Sequence, residues 1–139
     1  MKEQLWYLAS PYSHPDPAVR EARFRQICEV SAHLMAGGVM LYAPIAHTHP
    51  IALAGALPTG WDFWREYDKL YLERCDGLLV CCMDGWQQSR GVQDEIAMMR
   101  DMRKRILHFL PGNPTAIIEF LKCDDMTLLV QIAEEITHG

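Results

Sequence analysis

Two spacings of apolar residues alternate along this chain, and the switches between them mark its elements. Residues 5–9, "LWYLA", form a short continuous apolar run of the kind that fills a buried β-strand. From Pro17 to Met35 the spacing changes to three and four. Val19, Ala22, Ile27, Val30 and Leu34 mark the buried stripe of a helix, with Asp16 as its N-cap, Pro17 at its first position and Gly37-Gly38 as its stop. "VMLYAP" predicts a second strand, and "IAHTHPIALAGALPTG" a loop holding one short helix. "WDFWREYDKLYLERC" returns to helical spacing, and "GLLVCC" is a third strand apolar enough to be buried on both faces. "MDGWQQS" reads as a loop, "RGVQDEIAMMRDMRK" as a helix and "RILHFL" as a fourth strand, with one or two helices after Pro114.

Strands alternating with helices predict an α/β fold, a Rossmann-like or flavodoxin-like three-layer sandwich with a mainly parallel sheet of four to five strands. Ligands of such sheets bind beyond the carboxyl ends of the strands. That rule gathers "SPYSHPDP", "APIAHTHP" and "MDGWQQSRG" into one place. The first of these turns carries prolines, serines, a tyrosine and a histidine, more side-chain chemistry than a simple connector needs.

Composition narrows the reading. The chain has 139 residues, half of them hydrophobic, which suits one domain over residues 1–139 with a single core. The net charge of −5 argues against polymeric DNA or RNA as the main partner. No apolar run approaches the roughly 20 residues of a membrane span. "MKEQLWYLA" lacks the long apolar region of a signal peptide. The five cysteines form no CxxC pair, so neither a zinc knuckle nor a disulfide framework is indicated, and Cys75, Cys81 and Cys82 read as core thiols. A soluble cytoplasmic protein is the expectation.

Two acids break the pattern. Val92, Ile96, Met99 and Met102 form the apolar stripe of their helix, and Glu95 shares it. Asp68 lies on one face with Trp61, Trp64 and Tyr71. Burying a carboxylate is costly unless it is paired or has a task. Two such acids suggest a catalytic pair, whereas either alone is more often an edge residue that reaches solvent or an arginine. In "QQSRGVQDE", Ser89 and Gly91 sit near a helix N-terminus, a place that suits an anion and equally a capping serine.

At these residues the chain resembles the nucleoside 2-deoxyribosyltransferase superfamily, with "YLASPYSH" and "GWQQSRGVQDE" nearest to its small bacterial and phage members. The resemblance covers residues 5 to about 105. It implies that Tyr7, Ser10, Pro11, Tyr12 and Ser13 line a nucleotide pocket, and that His47 follows the second strand as the family's histidine does. It further implies that Asp68 holds the sugar hydroxyls and that the turn of Ser89 and Gly91 leads to Glu95 as nucleophile. This chain carries prolines and His14 where the family's nucleotide hydrolases have glycines and an arginine, and a longer loop with Trp86 before Ser89.

The resemblance implies N-glycosidic cleavage of a (deoxy)nucleoside 5′-monophosphate. Glu95 attacks the anomeric carbon, Asp68 fixes the sugar and relays a proton, and Tyr7 holds the rotamer of Glu95. Ser10, Ser13 and Ser89 offer donors to a phosphate, and Trp86 flanks the site. No cofactor is called for. Base exchange between nucleosides and a non-catalytic nucleotide-sensing module are the alternatives. The resemblance also implies a homodimer or larger assembly, with the helix around Trp61, Trp64 and Tyr71 at the interface. A metal site built from Tyr42, His47, His49 and His14 has little support, because "HTH" in a loop more often faces solvent or substrate and no carboxylate stands at matching spacing.

Overall fold

A computed structural model describes residues 3–123. Four parallel strands build one sheet in the order β2-β1-β3-β4: β1 (Trp6–Ala9), β2 (Leu41–Tyr42), β3 (Gly77–Cys81) and β4 (Arg105–Phe109). The helices are α1 (Pro17–Ala36), α2 (Pro44–Gly55), α3 (Trp61–Arg74), α4 (Arg90–Asp101) and α5 (Thr115–Cys123). This is the expected α/β sandwich, with four strands. A second helix after Pro114 would fall outside the described residues.

Side chains alternate across the sheet and divide the core in two. Trp6, Leu8, Leu79, Cys81 and Phe109 pack on one face against Ile27, Val30 and Leu34 of α1 and Ile117 and Ile118 of α5. Tyr7, Ala9, Leu78 and Val80 pack on the other against Leu72 of α3 and Val92, Ile96 and Met99 of α4. The register pairs Tyr7 with Tyr42 on one side and with Leu78 on the other. Because β1 continues to β2 on one side and is flanked by β3 on the other, the order of the strands reverses at β1, where such sheets open a crevice.

Three sequence expectations change. β2 is only two residues long. The segment expected to be a loop with one short helix is mostly α2, which starts at Pro44 and carries Pro50 inside it, so "HTH" is helical. Pro44 suits the first turn, where its missing N–H costs nothing. The apolar stripe of α1 is buried only from Ile27 onward, for Val19 is half-buried and Ala22 exposed.

The basic end of α4 serves a neighbour. Lys104 Nζ donates to the carbonyls of Leu72, Glu73 and Cys75, satisfying the C-terminal end of α3. Cys75 and Cys81 are buried as expected, Cys28 and Cys82 half-buried and Cys123 exposed, and all five thiols are free.

Candidate active site

Tyr7, the second residue of β1, points from the sheet toward α3 and α4 and is fully buried. Asp68 on α3 and Glu95 on α4 are each only 4% exposed. Both helices amphipathically bury one face, and these acids sit on that face. Among the described residues neither carboxyl is ion-paired.

Three buried polar atoms here and nearby have no hydrogen-bond partner: Tyr7 Oη, Asp68 Oδ1 and Ser10 Oγ. Buried polar groups are paired in the great majority of cases, so three orphans within and just beyond one strand and its covering helix need an explanation. Tyr7's hydroxyl is close enough to feel the charge of both acids, yet it makes no well-formed hydrogen bond to either.

The electrostatics follow from this burial. Desolvation pushes Glu95 well above the ordinary carboxylate range, Tyr7's hydroxyl pulls the other way, and the charges of Asp68 and Asp94 add to the push. Desolvation raises Asp68 to about 7, again opposed by Tyr7. Tyr7 itself is pushed up by burial and by the two acids. Asp94, beside Glu95 in sequence, has a different task. It accepts from Trp61 Nε1 at 2.6 Å and lies 3.9 Å from Arg65, clamping α4 to α3. Arg65 lies beside Asp94, and Glu95 has no such cation among the described residues.

Aromatic rings wall the pair on the β2 side. Tyr42 stacks on Tyr71 at 4.0 Å with nearly parallel planes and lies 5.9 Å from the ring of Tyr7. The hydroxyls of Tyr67 and Tyr71 are 3.3 Å apart. His47 is exposed, and its Nδ1 is 3.1 Å from Tyr42 Oη, so the structure brings His47 to the rim of this wall.

The turn after β1 is pinned from several sides. Ser10 and Pro11 are buried. Tyr12 Oη lies 2.6 Å from His49 Nδ1, Ser13 donates to the carbonyl of Thr59, and Asp16's side chain caps α1. Arg20 donates to the carbonyls of His14 and Pro15, and Arg23 to those of Tyr12 and Ser13. The stiffness of this turn comes as much from two arginines of α1 as from its prolines.

The remaining predicted residues have local work. Ser89 is the N-cap of α4 and accepts from Val92 N–H at 3.3 Å. Gly91 lies under the ring of Trp61. Trp86 packs 5.4 Å from His108 of β4, on the far side of β3 from β1.

A family model described as a domain of unknown function, DUF1937, matches residues 4–110. The chain belongs to this family. No curated protein matches it. The match runs from the start of β1 to the end of β4, so every residue of the candidate site lies within the DUF1937 domain.

Chemically, the site of this DUF1937 domain offers two dry carboxyls that hold protons far more readily than exposed acids, with a phenol between their influences. Such a set suits proton transfer and attack on an electron-poor carbon. No group of three or more metal-binding side chains occurs among the described residues. The histidines are split. His47 turns to Tyr42, His49 to Tyr12 and Glu21, and His14 accepts from the N–H of Asp16. Sequence reasoning missed the pairing of His49 with Tyr12 and Glu21 and that of Tyr42 with His47, because a histidine placed in a loop gives no helical spacing from which to read a partner.

Proposed function

We propose that this domain cleaves the N-glycosidic bond of a (deoxy)nucleoside or its 5′-monophosphate, with Glu95 as nucleophile. The observation that carries the reading is that Glu95 and Asp68 are both buried without an ion pair beside Tyr7's unpartnered hydroxyl. A structural carboxylate would have recruited an arginine, as Asp94 has. The resemblance to the nucleoside 2-deoxyribosyltransferase superfamily supports the same three residues.

In this reading the sugar hydroxyls donate to Glu95 and favour its ionised form. Its oxygen bonds to the anomeric carbon through an oxocarbenium-like transition state, while the bonding pair leaves with the base. Asp68, held near neutrality, supplies the proton the leaving base needs. Water then attacks the glycosyl ester, returns its proton to Asp68 and releases the sugar and Glu95. A second free base in place of that water gives transfer.

One observation favours a nucleoside over a monophosphate. Ser89, expected to meet the phosphate, already accepts the N–H of Val92 in the α4 cap and has only its hydroxyl proton left to offer, and Trp61 covers Gly91. Base exchange between nucleosides is therefore the second reading.

The test is base release, followed by chromatography, from a panel of nucleosides and 5′-monophosphates, with and without a second free base. Release by the wild type and not by Glu95→Ala supports the reading. Binding of panel members without release from any of them overturns it in favour of a sensing module.

A further inference from the structure

A hydrogen-bond chain runs through the buried His49 of α2 to Tyr12 on one side and to Glu21 of α1 on the other. His49 is 3% exposed, its Nδ1 is 2.6 Å from Tyr12 Oη, and its Nε2 is 2.7 Å from Glu21 Oε2 on α1. Phe24 stacks on the imidazole at 4.4 Å and fixes its plane. Glu21 also accepts from Arg25 at 3.2 Å, and its side chain is 40% exposed.

The direction of this chain follows from its ends. Glu21, bonded by His49 and Arg25, is an ionised acceptor with nothing to donate. A neutral His49 then carries its proton on Nε2, which leaves a lone pair on Nδ1. Tyr12 is left to donate its only proton to that lone pair. Proton donation runs from Tyr12 to His49 to Glu21.

We infer that His49 is a positioning residue: it holds Tyr12 as a committed donor and thereby locks the turn of residues 10–16 to α2. The arginines of α1 bind the backbone of this turn, Arg20 also approaching the Tyr12 hydroxyl, and the bond from Tyr12 to His49 ties the turn to α2. Tyr12 is 8% exposed and Arg20, the charged group beside its hydroxyl, can only donate, so a hydroxyl proton released from His49 has little water to turn to. A ligand group that reaches Tyr12's oxygen must itself be a donor. The inference rests on the proposed function only in taking this turn as part of the site, and its test needs no turnover.

The test pairs two substitutions that split the imidazole. His49→Asn places a side-chain acceptor near the position of Nδ1 and loses the donor to Glu21. His49→Gln reaches Glu21 and loses the acceptor for Tyr12. Amide hydrogen exchange by NMR at Asp16 and Ala18, whose N–H groups bond to His14 and to Asp16, should quicken about tenfold in His49→Gln and in Tyr12→Phe, and stay near wild type in His49→Asn. Nitrogen-15 imidazole shifts of the wild type should show the proton on Nε2. Equal exchange in all the variants, or a proton on Nδ1, overturns the inference. Base release measured on the same variants separates this outcome from failure of the proposed reaction.

Discussion

The indole of Trp61 lies over Gly91, so that a Cβ at position 91 would fall 3.2 Å from its Cε3. The same indole is tethered through its N–H to Asp94, one turn further along α4. Ring and backbone therefore share one packing position between α3 and α4, and the ring has little freedom to withdraw. Gly91→Ala should destabilise the domain by about 1 kcal/mol in urea unfolding, overpacking outweighing the better helix propensity of alanine. A more stable variant would show that Trp61 can move.

Ser89 separates two uses of one helix end. As a cap it is worth about 1 kcal/mol, so Ser89→Ala should lose that much stability. In the nucleoside reading, the same variant should alter KM for a nucleoside and for its 5′-monophosphate alike. A selective rise in KM for the monophosphate would assign the serine to phosphate binding instead.

Asp68 makes stability fall as pH rises. Its carboxyl titrates at about 7 in the folded protein and near 3.8 when exposed. Between these values the folded state holds a proton that the unfolded state has lost, so the stabilisation present below pH 4 is lost progressively up to about pH 7. Glu95, raised in the same direction, extends the loss to higher pH. Asp68→Asn should match the wild type at pH 4 and exceed it by about 4 kcal/mol at pH 8, measured by denaturant unfolding. Parallel pH profiles for the two proteins would contradict the burial cost assigned to Asp68.

Tyr7→Phe removes a buried hydroxyl that has no partner. Stability should hold or rise by about 1 kcal/mol, while base release falls at least tenfold, because the orphaned group is spent on substrate or on Glu95 in the reacting complex. Loss of stability together with unchanged release would make Tyr7 a core residue and nothing more.

The elements were legible where spacing and punctuation agree. Asp16 and Pro17 open α1, "GLLVCC" reads directly as the doubly buried β3, and Glu95 and Asp68 stand out because an acid on an apolar stripe violates the pattern around it. α2 was not legible. It has no charged residue and carries two prolines, so neither amphipathic spacing nor a helix-stop signal identifies it.

The sequence alone determined the alternation of strands and helices, and with it the parallel sheet and the two misplaced acids, because both follow from local periodicity. The tertiary structure decided which side chains meet. It set Tyr7 against the two acids, gave Asp94 an arginine that Glu95 lacks, made Ser89 the cap of α4, and put His47 on the exposed face of α2 and His49 on its buried one. Those pairings depend on strand order and helix docking, which bring together residues tens of positions apart, and no local pattern in the chain encodes them.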